Sequence, residues 1–284
     1  MLGFTEFSGP TKRRHFTARN LNIVMHATEL FETPEIDLRK LRYAQRASHK
    51  FSQWLYQANA KTPLKDMGLF NVRTAKGDEL WLLRATEVGI PYQDLYIGLG
   101  WNPKSTSDAY VTTATMAGRQ HMLLVMMLKD DPRDQIDLGY KLDWAQFTHE
   151  FTHVMDYRRG YTQHKANVAK SGKPPVADRA AYYNSPIEFN GYYQQGLHTI
   201  IYKLALLAMA KKPPDRFKTI SYSQFRRVYD IWFESAWLHS LNTVYQRKFT
   251  RRFYKFYRLV QTTWPDMEAI QDIAKQDEES PEFH

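Results

Sequence analysis

The chain contains no cysteine, and this absence restricts both its redox chemistry and its metal chemistry. Without thiols the protein forms no disulfide. It also lacks the thiolate ligands that structural zinc sites commonly use. Any metal ion in this protein would therefore be held by His, Asp or Glu side chains.

Long apolar runs and a signal-peptide core are lacking as well. No apolar run is longer than residues 122–128, which have the length of a strand, whereas a helix needs about 20 apolar residues to cross a bilayer. Residues 1–14 include Glu6 and have no apolar core of signal-peptide length. We therefore expect a soluble, cytoplasmic or otherwise intracellular protein with no transmembrane segment, while phage- or toxin-type delivery stays open.

Positive charge is in excess. The chain has 39 Lys and Arg residues against 30 Asp and Glu residues, which gives a formal net charge of +9. Such a balance is typical of proteins that bind an anionic partner, such as nucleic acid or an acidic protein. It also occurs in basic proteins without such a partner, and charge alone does not separate the two.

Apolar periodicity predicts an α+β protein, with a small sheet before a mostly helical C-terminal part. The predicted strands are 79–85, 94–99, 109–116 and 121–128. The last two form a hairpin in which the second strand, apolar on both faces, is central. The predicted helices are 36–60, 143–158, 186–211, 221–247, 249–262 and 265–276.

One segment carries the strongest chemical signal, His149-Glu150-Phe151-Thr152-His153. Residues four apart lie on one face of a helix, so both imidazoles can reach one metal ion. Glu150 lies about 100° around the helix from His149, beside such an ion. Zinc lowers the pKa of its bound water toward about 7, and a carboxylate can take the proton as the water attacks a carbonyl. The pattern predicts a zinc metallohydrolase, in particular a peptidase.

Asp156 returns to the same helix face, three residues after His153. It could orient a ligand histidine through the nitrogen that does not bind metal, or bind the metal itself. We favour orientation, because a short side chain one turn further along a straight helix reaches the same ion poorly. An exposed pair with Arg159 is a third interpretation.

A catalytic zinc ion usually has three protein ligands, and Glu188 is the best candidate for the third. It begins a helix that would face the first one. The segment from Ser185 to Glu188 also matches a capping box, in which Glu188 would serve as a helix cap. The alternative ligands are Asp156, His164, Asp178 and His198. We interpret His198 as a pocket wall or a substrate contact.

Residues 149–160 resemble the active-site helix of gluzincin metallopeptidases. They are most similar to the Mlc titration factor family and the related catalytic domain of anthrax lethal factor. Those proteins share a HEFxHxxD-type helix followed by Gly. They also share a later helix, entered through a Pro-containing turn, that supplies a Glu ligand. The resemblance covers residues 144–193.

This resemblance implies a zincin-like fold and one Zn²⁺ ion per chain. By resemblance, His149, His153 and Glu188 are the metal ligands and Glu150 is the general base. Asp156 would lie next to the ligands without binding the metal. The corresponding domain organisation is an N-terminal extension over 1–34 and a single catalytic domain over 35–284. The parts of that domain would be 35–160, with the HExxH helix, and 161–284, the helical lobe.

An oxyanion formed in peptide hydrolysis needs a hydrogen-bond donor. Tyr182, Tyr183, Tyr192, Tyr193 and His198 are all near Glu188 in sequence. Tyr192 ranks first because it follows Glu188 by one helical turn. Upstream, the strand over 110–116 could be an edge strand that pairs with an extended peptide substrate, or a plain hairpin strand.

A basic and aromatic segment, 247–258, leaves open a function of another class. It could bind nucleic acid through phosphate contacts and base stacking, which would make the chain a basic nucleic-acid- or protein-binding regulator with a structural or degenerate metal site. However, Phe249, Phe253 and Val260 repeat at helical spacing. We favour a core-facing aromatic stripe with a solvated basic face.

Overall fold

The structure, a computed structural model, describes the chain from residue 34 to residue 267 with gaps. The described ranges are 34–59, 66–74, 77–104, 108–116, 118–128, 142–158, 179–210, 213–233 and 236–267. These residues belong to one compact unit that begins at Pro34. The division of the chain into an extension and one catalytic domain stays a prediction.

The elements follow the predicted order of one long helix, a sheet and then further helices. The helices are α1 (Pro34–Asn59), α2 (Trp144–Arg158), α3 (Arg179–Tyr183), α4 (Pro186–Ala208), α5 (Arg216–Thr219), α6 (Tyr222–Phe233) and α7 (Thr243–Thr263). The strands are β1 (Phe70–Arg73), β2 (Glu79–Arg84), β3 (Leu95–Trp101), β4 (Ala109–Met116) and β5 (Arg119–Leu128). Short 3-10 helices cover Ala85–Val88 and Ala236–Ser240.

The five strands form one sheet in the order β1-β2-β3-β5-β4. Strands β3 and β5 are parallel, and the other neighbouring pairs are antiparallel. The predicted hairpin is confirmed as β4 and β5, and β5 is the interior strand of the two. Its residues 122–128 are all buried, as a strand covered on both faces requires. Strand β4 forms one edge of the described sheet.

One face of the sheet packs against α1 and α2. Helix α1 buries one apolar stripe, and its Phe51 ring lies 6.1 Å from the Phe147 ring of α2. Phe147 in turn stacks on Phe151 at a centroid distance of 5.8 Å. Burial of these rings stabilises the interface by the transfer of large apolar surfaces from water. It fixes α2 against the sheet along the side of α2 that carries its phenylalanines.

A second core joins α1, α4, α6 and α7. Phe249 and Phe253 of α7 are buried there, with Phe256, Tyr257 and Val260 further along the helix. The predicted core-facing stripe of this segment is therefore confirmed.

The division of the C-terminal helices was predicted wrongly. Sequence periodicity placed one helix over 221–247 and another over 249–262. Instead, the first helix ends early as Tyr222–Phe233, a turn of 3-10 helix covers Ala236–Ser240, and the last helix runs unbroken as Thr243–Thr263. The break lies well before the predicted one.

Asn242 explains where the last helix begins. Its side-chain oxygen accepts hydrogen bonds from the backbone N–H groups of Val244 and Tyr245, at 3.0 and 3.1 Å. Such an N-cap satisfies donors that a helix start leaves unpaired. The apolar pattern continued across the break because Trp237 and Leu241, in the intervening turn, are buried too.

The α+β class, with the helices concentrated in the C-terminal part after the sheet, is confirmed. Strand β1 was not predicted, because it has only four residues and three of them are exposed, so its alternation of apolar and polar side chains is too short to stand out. Most of the helix predicted over 265–276 lies outside the described residues. Within the described part of the chain, no helix is both long and apolar enough to cross a membrane.

Candidate metal centre

Helix α2 brings its two histidines together at one turn's spacing. His149 and His153 are both buried. Their ring centroids lie 4.6 Å apart, with the rings nearly perpendicular. Because the phenylalanines of α2 pack toward the sheet, the histidines meet α4, which packs against α2.

Helix α4 begins in the way that its sequence predicts. Ser185 is the N-cap, Pro186 follows it, and the Ser185 hydroxyl accepts a hydrogen bond of 3.2 Å from the backbone N–H of Glu188. In a complete capping box the Glu188 carboxylate would accept a hydrogen bond from the backbone N–H of Ser185. Here that N–H donates to the Tyr182 carbonyl at 3.1 Å instead. Glu188 thus takes part in the cap through its backbone N–H, while its carboxylate takes no part in the cap.

The Glu188 carboxylate lies against both histidines. Its Oε2 atom is 3.3 Å from Nε2 of His149, and its Oε1 atom is 3.6 Å from Nε2 of His153. The three ligand atoms of this group all lie within 4.8 Å of one another, so the group could hold a metal ion. Two ligands that are each about 2.0 Å from a tetrahedral zinc ion lie about 3.3 Å apart. The donor set and its spacing therefore fit a metal.

Gly191 makes this close approach of α4 to the histidines possible. A Cβ atom at this position would lie 2.8 Å from Nε2 of His149 and 2.9 Å from Cε1 of His153. Separations below 3.0 Å are steric clashes, and the rings could escape them only by turning away from Glu188. A side chain at position 191 would therefore occupy the space that the two imidazoles use.

The charges of the group favour a cation. Burial by itself lowers the pKa of His153, but the carboxylates of Glu188, Glu150 and Asp156 together outweigh burial and raise that pKa to about 9. Burial by itself raises the pKa of Glu188, but His153 and His149 outweigh it and hold that pKa well below its usual range. A site that stabilises protons in this way also suits a divalent metal, which competes with protons for the same ligand atoms.

Glu150 is buried beside the histidines and is held by a neighbouring amide. Nε2 of Gln146 donates to Oε1 of Glu150 at 3.1 Å. Gln195 of α4 in turn donates to the side-chain oxygen of Gln146 at 3.1 Å. Gln146 precedes Glu150 by one helical turn, a spacing that could have indicated this pair from sequence. The contribution of Gln195 depends on how two helices pack, and no local pattern indicates it.

Asp156 is fully buried behind the histidines. Its Oδ2 atom accepts a hydrogen bond of 3.2 Å from Asn190 of α4, and its Oδ1 atom lies 3.7 Å from Nζ of Lys40 of α1. Its negative charge acts on His153. Nδ1 of His149 is buried and has no hydrogen-bond partner among the described residues, so that ring is not oriented by Asp156 through Nδ1.

Aromatic residues of α3 and α4 surround the group. The Tyr192 ring packs edge-to-face on His149 at 4.5 Å. Burial, followed by the neighbouring Tyr183 and Glu188, raises the pKa of Tyr192. Burial likewise raises the pKa of Tyr182, and the charge of the nearby Glu188 carboxylate raises it further. Tyr182 was the less favoured of the two from sequence, because its helix could not be placed.

The remaining candidates lie in different places. His198 shares a hydrogen bond of 2.9 Å with Thr148, and burial lowers its pKa. It is not among the residues of the metal group. Tyr193 is buried in the second core. His164 and Asp178 lie outside the described residues.

Comparisons of the chain with protein-family models, with curated proteins and with solved structures found no match. The chemistry of the centre therefore follows from its own residues.

Proposed function

We propose that this protein is a zinc-dependent metallopeptidase that hydrolyses peptide bonds, with His149, His153 and Glu188 as the metal ligands. The observation that carries the proposal is the position of the Glu188 carboxylate, 3.3 Å and 3.6 Å from the two Nε2 atoms. Two nitrogens and one carboxylate oxygen leave a tetrahedral ion one open position for water, which is the arrangement of catalytic zinc sites. The resemblance of residues 144–193 to gluzincins supports the same assignment.

Glu150 supplies the proton transfer. A bound zinc ion would lower the pKa of its water to about 7 and polarise the substrate carbonyl. The Glu150 carboxylate takes the proton of the attacking water and then hands it to the nitrogen of the leaving amine. Gln146 holds one carboxylate oxygen of Glu150 at 3.1 Å, so the base is oriented before the substrate binds.

Tyr182 is the best candidate for the donor that stabilises the oxyanion. The charge of the Glu188 carboxylate acts on the Tyr182 hydroxyl, which places that hydroxyl near the metal-binding position. Its raised pKa keeps the hydroxyl protonated, as a hydrogen-bond donor must be. Tyr192 is the second candidate, because its ring lies against His149 while its hydroxyl interacts with Tyr183.

The edge strand supports a peptide as the substrate. Strand β4 lies at the edge of the described sheet, and α2 packs against it. An extended peptide can add to such an edge by backbone hydrogen bonds. A peptide bound along β4 would therefore run beside the helix that carries the histidines and Glu150.

Zinc content and its dependence on the histidines test the proposal. Purified protein should contain about one zinc ion per chain, and a chelator should abolish peptide cleavage until zinc is restored. His153→Ala should lose the metal. His121→Ala is the matched control, because His121 packs on Tyr96 away from the metal group and its loss should leave zinc bound. Zinc-free protein that cleaves peptides would contradict the proposal.

The competing function, a basic regulator that binds nucleic acid or protein, gains no specific support. The aromatic stripe from Phe249 to Val260 is buried as part of the second core, so it is not available to a partner. Arg252, one of the cations of this segment, is buried in an ion pair with Asp37. An anionic partner for the exposed cations stays a prediction from net charge.

A further inference from the structure

A chain of five buried polar side chains connects the last helix to the metal centre. On α7, Arg252 binds both carboxylate oxygens of Asp37 of α1, through Nε at 3.0 Å and Nη2 at 2.5 Å. Its Nη1 atom donates to Oδ1 of Asn190 at 3.0 Å. Nδ2 of Asn190 donates to Asp156 at 3.2 Å, and Asp156 also pairs with Lys40 at 3.7 Å. All five side chains are buried.

The two ends of the Asn190 amide fix its orientation. A guanidinium group has donors and no acceptor, so it requires the amide oxygen. An ionised carboxylate has acceptors and no donor, so it requires the amide nitrogen. The amide of Asn190 therefore has one satisfactory orientation between Arg252 and Asp156. Rotating it by half a turn would place its NH2 group against the guanidinium and its oxygen against the carboxylate.

The guanidinium itself is held in place by more than its hydrogen bonds. Its central carbon lies 4.0 Å from the centroid of the Tyr193 ring and 5.6 Å from that of Phe189. Cation–π contact with two buried rings and a bidentate carboxylate restrict the rotation of Arg252. Asn190 thus receives its hydrogen bond from a rigid donor.

This network meets the metal group at both of its helices. Asn190 follows Glu188 by two residues on α4, and Asp156 follows His153 by three residues on α2. The bond between Asn190 and Asp156 therefore ties the two helices at the level where the Glu188 carboxylate faces the histidines. A shift of α4 along α2 would break this bond and change the separation of the ligand atoms together.

We propose that Asn190 and Arg252 are positioning residues of the metal centre, which hold α4 and the Asp156 carboxylate at the separation that zinc binding requires. The proposal rests on the proposed function, since it presupposes a metal at His149, His153 and Glu188. Outer partners of metal ligands typically change metal affinity by about 10- to 100-fold. Neither residue touches the metal group, so each acts through its effect on the helices and on Asp156.

The test uses two variants of the full chain, Asn190→Leu and Arg252→Lys. The first keeps the branched shape of the side chain and removes both hydrogen bonds. The second keeps the positive charge beside Asp37 and removes the planar group that reaches Asn190. Tyr257→Phe is the matched control, because it lies on the same helix and loses one hydrogen bond of 2.8 Å, to the Ile220 carbonyl, away from the metal group.

Zinc affinity is measured by competition with a chelating dye, and the Co²⁺ form is examined by its visible absorption. Both network variants should bind zinc about 10- to 100-fold more weakly than the wild type, with a changed Co²⁺ spectrum. Tyr257→Phe should match the wild type in both. If Asn190→Leu does not fold, Arg252→Lys provides the same comparison.

Two other outcomes separate the two proposals. Network variants that lose thermal stability but keep wild-type zinc affinity and the wild-type Co²⁺ spectrum would show that the network only joins the helices, which would overturn this inference alone. A wild-type protein that binds neither zinc nor Co²⁺ would overturn this inference together with the proposed function.

Discussion

Oε2 of Glu188 lies 3.3 Å from Nε2 of His149, although the two side chains come from different helices. The same glutamate gives its backbone N–H to Ser185, so it serves the helix start and the candidate metal site at once. The two roles use different atoms of Glu188, and this separation makes them experimentally distinguishable.

Substitution at the helix start distinguishes the ligand role from the cap. Glu188→Gln removes the carboxylate but keeps the N–H that Ser185 caps, so zinc affinity should fall by more than the 10- to 100-fold typical of an outer partner. Ser185→Ala removes the cap at a cost of about 1 kcal/mol in unfolding free energy and should leave zinc affinity unchanged. Zinc titration and urea denaturation measure the two effects. Equal zinc affinity in Glu188→Gln and the wild type would exclude Glu188 as a ligand.

A methyl group on Gly191 should weaken metal binding. The Cβ atom of Gly191→Ala would meet Nε2 of His149 at 2.8 Å, so the ring must turn away from the metal position. Gly196→Ala is the control on the same helix, because its Cβ atom would instead meet Oη of Tyr229. Both variants should lose about 1–3 kcal/mol of unfolding free energy, and Gly191→Ala alone should lose zinc affinity. A zinc affinity lowered equally in both variants would point to general destabilisation.

Zinc affinity should rise with pH until the pH reaches about 9. In the metal-free protein burial lowers the pKa of His153, but the carboxylates of Glu188, Glu150 and Asp156 together outweigh burial and raise that pKa to about 9. Zinc must therefore displace a proton below that pH, and its affinity should rise by about tenfold per pH unit there. Zinc titration between pH 7 and pH 10 measures this slope. A flat profile would show that zinc displaces no proton with such a raised pKa when it binds.

The stability of the metal-free protein should change in the opposite direction. Because the pKa of His153 is higher in the folded protein than its ordinary value of 6.5, the protonated form contributes stability that is complete below pH 6.5. This contribution should be lost as the pH rises toward about 9. Urea denaturation of chelator-treated protein at pH 6 and pH 9 tests it, and His153→Gln should lack the difference. If the wild type and His153→Gln show the same difference, its source lies elsewhere.

Removing one tyrosine hydroxyl identifies the oxyanion donor. Tyr182→Phe should lower kcat for peptide cleavage by about 100-fold, as loss of an oxyanion-hole donor typically does, while zinc remains bound. Tyr192→Phe should have a smaller effect, because its hydroxyl interacts with Tyr183. Steady-state kinetics and zinc content of both variants measure this difference. The reverse order of the two kcat values would assign the role to Tyr192.

The sequence predicted those parts of the fold that depend on local pattern. The stripe of α1, the central strand β5 and the helix that carries His149 and His153 each follow from spacing within one element. The end of α6 was missed, because the buried Trp237 and Leu241 continue an apolar pattern through a turn. The cap at Asn242 marks the true start of α7, but Asn has a capping role only if the preceding helix has ended.

The candidate site shows the same limit. Glu188 could be nominated from sequence, yet the choice between cap and carboxylate depends on where α4 lies against α2. The need for Gly191 and the orientation of Asn190 depend on contacts between helices that no single segment encodes. Tyr182 was named but ranked below Tyr192, because helical spacing relates Tyr192 to Glu188 and says nothing about a residue before the Ser185 cap.

In the proposed mechanism Glu150 activates water at a metal held by its neighbours, and the Glu150→Gln variant is the sharpest test of this role. This variant keeps the size of the side chain and removes the base, while His149, His153 and Glu188 remain. We predict about one zinc ion per chain in both the wild type and Glu150→Gln, with cleavage of a peptide library lost in the variant alone. Zinc-loaded wild-type protein that cleaves no peptide, or a Glu150→Gln variant that cleaves as fast as the wild type, would contradict the account.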